Sequence, residues 1–168
     1  MCYVDFAHVI CHRFNDASGP LRELFARIVF NILCGNTDDH ARNDAAFWDG
    51  LRLSLTPAYD ICPQSRAGQE ASQAMLISEN NRFSRIATCL DAAHHFLLSE
   101  TQAMEIVERQ LRCIGANWRA VCNDASLTET DRNLLWGRQF LNLYAFTALD
   151  DPAGQLSTLV DEIRKTEV

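Results

Sequence analysis

Asp38 stands five residues before Asn43 in Gly35-Asn36-Thr37-Asp38-Asp39-His40-Ala41-Arg42-Asn43, and Asp60 follows Asp38 by 22 residues in Ala58-Tyr59-Asp60-Ile61. Phosphoryl transfer needs such a set. One carboxylate orients a hydroxyl nucleophile, and an amide oxygen with a second carboxylate holds magnesium, a hard cation that takes oxygen ligands, on the phosphates. Two other readings of the same residues stand beside this one. Asp38 and Asp39 suit turn and cap positions after Gly35, because Asp bonds readily to nearby backbone; Asp39 is read as non-catalytic. Asp38, His40 and Asp60 also have the donor types of a magnesium-dependent phosphohydrolase acting through water, although no second His at the spacing of H-E-x-x-H accompanies them.

The elements that must aim these residues are mostly helical. Residues 2–14 carry Val4, Phe6, Val9 and Ile10 as a short amphipathic helix. After a turn-rich break, Pro20 suits a first helical position with Ser18 or Gly19 as the cap. Leu21, Leu24, Phe25, Ile28, Val29, Ile32 and Leu33 recur at helical spacing, and Ala26 and Phe30 make the opposite face apolar too, so this helix is expected to be central. Gly35 should end it, which leaves the Asp38–Asn43 loop just past a rigid, buried element. Phe47-Trp48-Asp49-Gly50-Leu51 reads as a hairpin with a two-residue Asp-Gly turn, followed by an alternating strand through Leu51, Leu53 and Leu55 that Pro57 stops. The hairpin delivers Asp60 beside the loop. Residues 64–74 are read as loop; Phe83, Ile86, Ala87, Leu90 and Leu97 mark a helix. Ser99-Glu100-Thr101-Gln102 is a capping box opening a helix toward Trp118 and Val121, and Thr128 to Asp131 opens another carrying Leu134, Leu135, Leu141 and Tyr144. The division is a lobe over 1–149 and a polar tail over 150–168 with room for one short helix.

The 168 residues suffice for one ordinary core, and a formal net charge of −7 disfavours direct binding to nucleic acid or an anionic membrane surface. No apolar run approaches a membrane helix, and no signal peptide is recognisable at the N-terminus. The seven Cys are dispersed without a C-x-x-C pair and read as buried free thiols of a reducing, cytoplasmic compartment. Adjacent His94 and His95 should face different ways, and Trp48, Trp118 and Trp136 are read as packing.

Phe30 to Asn43, followed by Leu55-Thr56-Pro57-Ala58-Tyr59-Asp60-Ile61-Cys62-Pro63, strongly resembles the HipA-like serine/threonine kinases, toxins of bacterial type II toxin–antitoxin systems. The resemblance runs from about residue 3 to about 149 and implies a mainly α fold, the helical C-lobe of a kinase-like protein with a small β-hairpin beside the catalytic loop. It implies that Asp38 is the catalytic Asp, that His40 organises the loop or faces phosphate, and that Asn43 and Asp60 bind the magnesium of magnesium–ATP. It further implies a protein hydroxyl as substrate and an antitoxin as partner. No Gly-rich phosphate loop or Lys precedes Asp38, since Lys165 is the one Lys. The reading is therefore of a C-lobe inactive by itself: a piece of a longer kinase, a split kinase served by an N-lobe in trans, or a catalytically dead docking module. The apolar residues Phe47, Trp48 and Leu51 are expected to lie uncovered.

Overall fold

The computed structural model describes residues 2–64, 68, 70–78, 80–150 and 152–166. Its elements run α1 (Tyr3–Arg13), α2 (Ser18–Cys34), β1 (Ala46–Trp48), β2 (Leu53–Leu55), α3 (Ile86–Ala92), α4 (Glu100–Asp124), α5 (Glu129–Leu135) and α6 (Gln155–Thr166), with short 3-10 turns at Ala41–Asn43, Ala93–Phe96 and Leu143–Phe146. The expected mainly α lobe with a small hairpin is what forms.

α2 is its hub. Leu21, Leu24, Phe25, Ala26, Ile28, Val29, Ile32 and Leu33 are all buried, so the helix is covered on nearly every side, as an all-round apolar helix must be. α1, α3 and α4 pack directly on it, and Phe25 meets Phe96 edge-on at 5.5 Å between ring centroids. The capping box at Ser99 forms as expected, and Thr128 forms a second one with Asp131.

Several elements differ from their sequence readings. α2 begins at Ser18, before Pro20, and neither Ser18 nor Gly19 caps it. The Asp16 carboxylate does so, accepting from the N–H of Ser18 at 3.1 Å and of Gly19 at 3.3 Å. On α1 the buried stripe is Tyr3, Val4, Ala7 and Ile10, while Val9 faces outward at 43% exposure. β1 and β2 pair antiparallel with Trp48 opposite Leu53, so the connection is the four residues 49–52 rather than a two-residue turn. Asp49 is the reason: its Oδ1 accepts from the N–H of Leu51 at 2.8 Å and of Arg52 at 2.7 Å, organising a wider loop. Leu51 thereby leaves the strand, and Phe47, Trp48 and Leu51 stand 60%, 56% and 84% exposed. Trp48 is therefore not a packing residue, whereas Trp118 and Trp136 stack at 4.7 Å.

α3 is shorter than its apolar marks implied. Phe83 lies before it, exposed, and Leu97 lies beyond the 3-10 turn with a left-handed backbone. α5 stops at Leu135, because Gly137 at φ +75° turns the chain and its N–H donates to Phe140 O at 2.8 Å; Leu141 and Tyr144 fall outside the helix. Cys11, Cys62 and Cys113 are exposed, and only Cys2, Cys34, Cys89 and Cys122 are buried. His94 is exposed and His95 half-buried, as their adjacency implied. α6 packs along α4 and buries Leu156 and Val160. Part of the 64–74 loop reading falls on residues 65–67 and 69, outside the described residues. Among the described residues no helix is long and apolar enough to cross a membrane.

Candidate functional site

The site begins where α2 ends. Gly35 sits at φ +74°, its N–H bonded to Ile32 O at 3.2 Å, and the Asn36 N–H bonds to Asn31 O at 2.8 Å. That pair of bonds is a Schellman motif, which only a left-handed residue permits and glycine favours. The chain then leaves the helix without regular secondary structure, and exposure alternates along it from Asp38 to Asp39. Asp38 points outward with its side chain 64% exposed, Asp39 points in and is buried, and His40 turns back so that its Nε2 lies 2.8 Å from Asp38 Oδ1. The imidazole thus lies beside one carboxylate oxygen of Asp38, close enough to pair with it. A 3-10 turn over Ala41–Asn43 follows, closed by the Asn43 N–H donating to His40 O at 2.8 Å, with Asn43 buried and Arg42 exposed.

Asp60 reaches the same neighbourhood from the far side of the hairpin. The Tyr59 hydroxyl donates to Arg42 O at 2.8 Å, which ties the Asp60 segment to the turn carrying Asn43. Asn43 shares a small hollow with Ala58, Tyr59 and Ile61, the residues flanking Asp60. Gln64 N–H to Gly35 O at 3.0 Å and Ala74 N–H to Thr37 O at 3.0 Å stitch the downstream chain to the segment that leads into the loop. Asp60 itself is exposed, at φ +57°. That left-handed backbone costs a non-glycine residue about 1 kcal/mol or more, and such conformations concentrate at functional sites. The four residues singled out in the sequence therefore fall into two groups: the pair Asp38–His40, and buried Asn43 with the tethered, exposed segment of Asp60.

Sequence reasoning missed what lies beneath. The Asp39 carboxylate accepts from the Tyr3 hydroxyl and from Asn31 Nδ2 at 2.8 Å. Burial pushes its pKa up from the ordinary carboxylate value; the hydrogen bonds from Tyr3 and Asn31, with His40 and Arg27 nearby, oppose the rise. Arg27, on α2, donates to Glu23 at 2.8 Å and to Thr56 O at 2.6 Å. Asp44 was also overlooked. Burial, and then the Asp39 carboxylate, push it up to about 6, against the pull of Arg27. The one signal available was Asn31 itself, an amide inside an apolar helix, since a buried polar side chain requires a partner.

Asp44 gives a pH dependence of defined sign. Its folded-state pKa of about 6 exceeds the ordinary 3.8, so the folded chain binds this proton more tightly than the unfolded chain. Asp44 thus destabilises the fold at neutral pH, and the penalty fades as pH falls through 6 toward 4. Asp44→Asn is expected to raise stability at pH 7 by about 1–2 kcal/mol, a figure discounted for the solvent that still reaches the group. Its advantage over wild type should vanish near pH 4. Urea midpoints at both values, in metal-free buffer, measure this; an advantage that persists at pH 4 contradicts it.

The structure thus defines a class: a helical lobe whose central buried helix presents an Asp-x-His-x-x-Asn loop, with a hairpin beside it. The family model of the HipA-like C-terminal domain matches residues 1–118, and the chain belongs to that family. A chain from the complex of HipA, HipB and operator DNA of a Shewanella oneidensis MR-1 toxin–antitoxin system superposes with a TM-score of 0.60 at 14% identity, covering 99% of this chain and 35% of that one. At that identity the likeness shows the fold. The chain spans about a third of the length of that protein. No match was found among curated proteins.

Proposed function

We propose that the chain is the C-terminal catalytic lobe of a HipA-like serine/threonine kinase, which transfers the ATP γ-phosphate to a protein hydroxyl. The observation that carries this reading is the Tyr59–Arg42 tether, which brings the segment of a distant acid to the Asn43 turn. Asp38, exposed and with His40 beside one oxygen, takes the role of orienting the substrate hydroxyl and accepting its proton. Asn43 and Asp60 would hold magnesium. Their oxygen donors fit a cation that keeps few protein ligands and completes its shell with phosphate and water. When bound, magnesium–ATP supplies the phosphoryl group and neutralises charge on it. Exposed Arg42 is available to phosphate. With Lys165 the one Lys of the chain, the phosphate-gripping groups come from a nucleotide-binding lobe, in the same polypeptide or in trans. The Shewanella complex makes an antitoxin the proposed protein partner.

A magnesium phosphohydrolase built on Asp38, His40 and Asp60 as three ligands is less well supported: among the described residues no group of three or more His, Cys, Asp or Glu is placed to hold a metal. A dead docking module has no chemical need to keep Asp38, Asn43 and Asp60 together. The test is calorimetric titration with magnesium–ATP. Wild type is expected to bind only when magnesium is present, and Asp60→Asn to weaken binding about tenfold or more, about 1.4 kcal/mol. A folded wild-type chain that shows no magnesium-dependent binding at millimolar nucleotide overturns the reading of an intact half-site.

A further inference from the structure

Asp38 and Asp39 are neighbours with opposite fates: one side chain is 64% exposed, the other residue only 8% exposed. The two are joined by one planar peptide, so fixing the inward side chain constrains where the outward one can point. We infer that Asp39 is the positioning residue of the Asp38–Asn43 loop, held by Tyr3 and Asn31 and linked back to Asp38 through Asn36.

The link can be followed atom by atom. The Tyr3 hydroxyl, from the first turn of α1, donates to Asp39 Oδ2. Asn31 Nδ2, from the last turn of α2, donates to the same oxygen at 2.8 Å. Asn31 Oδ1 accepts from Asn36 Nδ2 at 3.1 Å, so both ends of the Asn31 amide are used. Asn36 Oδ1 in turn accepts from the Asp38 N–H at 3.4 Å. The relay therefore grips the chain at Asp38's own amide and at the residue that follows it. Its anchors are two helices of the core rather than the loop. Tyr3, Asn31, Asn36 and Asp39 are all at most 8% exposed. A carboxylate in such a place is costly unless it is hydrogen-bonded, and a buried hydrogen-bonded network selects one geometry over its alternatives. Asp39 does no chemistry in the proposed reaction; it sets where Asp38 and, three residues beyond His40, Asn43 are presented.

This inference rests on the kinase reading for its purpose but not for its geometry, and the experiment separates the two. Amide hydrogen exchange is followed at Asn36, Asp38 and Asn43, with Leu24 and Ile28 of α2 as core references, in wild type, Asp39→Ala, Asp39→Asn and Tyr3→Phe. Magnesium–ATP affinity is titrated on the same proteins. Asp39→Ala is expected to speed exchange at the loop amides about tenfold, the loss of one to two hydrogen bonds, with Leu24 and Ile28 unchanged. Tyr3→Phe should fall between wild type and Asp39→Ala. Asp39→Asn keeps an oxygen for both donors and should stay within about threefold of wild type. Affinity should follow the same order. Unchanged loop exchange in Asp39→Ala overturns the inference, as does equal acceleration of loop and core amides, which marks a general stability role. A loosened loop with unchanged affinity overturns it as well. If wild type binds no magnesium–ATP, the kinase reading fails and the exchange pattern alone decides whether Asp39 positions the loop.

Discussion

Phe25→Ala is expected to cost about 4 kcal/mol of folding stability and to lower the melting midpoint by roughly 10 °C. Phe25 is fully buried on α2, the helix that α1, α3 and α4 all pack against. Truncation removes the transfer free energy of the ring and also leaves a void. The surrounding helices cannot close over it without shifting one another, and a cavity that fails to collapse gives costs at the upper end of the range. The edge-to-face contact with Phe96 at 5.5 Å adds about 1 kcal/mol to what area alone would predict. Phe96 lies in the 3-10 turn between α3 and α4, so the same ring holds the path into α4. Phe47→Ala is the comparison. That ring is 60% exposed, and its loss should change stability by less than about 0.5 kcal/mol. Thermal unfolding of both variants is the measurement. A Phe25→Ala loss below about 1 kcal/mol would mean that α2 is not the hub of the core.

The contrast between these two Phe residues also shows what a sequence can reveal. Phe25 belongs to an apolar stripe that repeats over four turns, and a long, strongly periodic signal locates a core helix. Gly35 and the helix starts at Ser99 and Thr128 were equally readable, because each rests on a local bond between residues three or four apart. The hairpin turn was not, because two local preferences compete there. Asp-Gly favours a two-residue loop, but the Asp49 side chain bonds two backbone N–H groups and widens it. α5 was over-extended for a related reason: the apolar spacing continues to Leu141, while Gly137 at φ +75° redirects the backbone.

The site divides along the same line. Asp38, His40, Asn43 and Asp60 are conspicuous as residue types at fixed spacing. Their support is not, since the Tyr3–Asp39 and Asn31–Asp39 bonds join positions 36 and 8 residues apart. Nothing local in the chain says that the first turn of α1 will end beside the last turn of α2. Asp44 is subtler still. Its raised pKa depends on burial and on Asp39 close by, neither of which exists until the tertiary structure forms. Residues that do chemistry are constrained in type and so can be read. Residues that hold them are constrained only in place.

Gly35→Ala is where core and site meet, and its expected cost is about 3 kcal/mol. Two independent effects add. At φ +74° any Cβ is strained, by roughly 1–2 kcal/mol. The added methyl would also stand 2.8 Å from the backbone oxygen of Gln139 and 3.1 Å from its Cα. Those are main-chain atoms, so no side-chain rotation relieves the overlap. Their segment is itself fastened, by Gly137 N–H to Phe140 O and by Leu141 N–H to Leu33 O, both at 2.8 Å. Overpacking against a fixed neighbour typically adds a further 1–3 kcal/mol. Gly50→Ala separates the two effects: Gly50 also has positive φ, at +102°, but nothing lies within 4 Å of its would-be Cβ, so only backbone strain remains. The difference between the two variants in urea unfolding therefore measures the Gln139 contact. Gly35 O also accepts from Gln64 N–H at 3.0 Å, and the segment leading into the Asp38 loop starts at the next residue. A shift of this peptide displaces both the Asp38 side and the downstream Asp60 side of the site. Magnesium–ATP binding should consequently weaken in Gly35→Ala under conditions where the variant is still folded, and remain intact in Gly50→Ala. Equal destabilisation by the two substitutions would show that the turn at Gln139 gives way freely. The loop's position would then be set by the Asp39 network rather than by the end of α2.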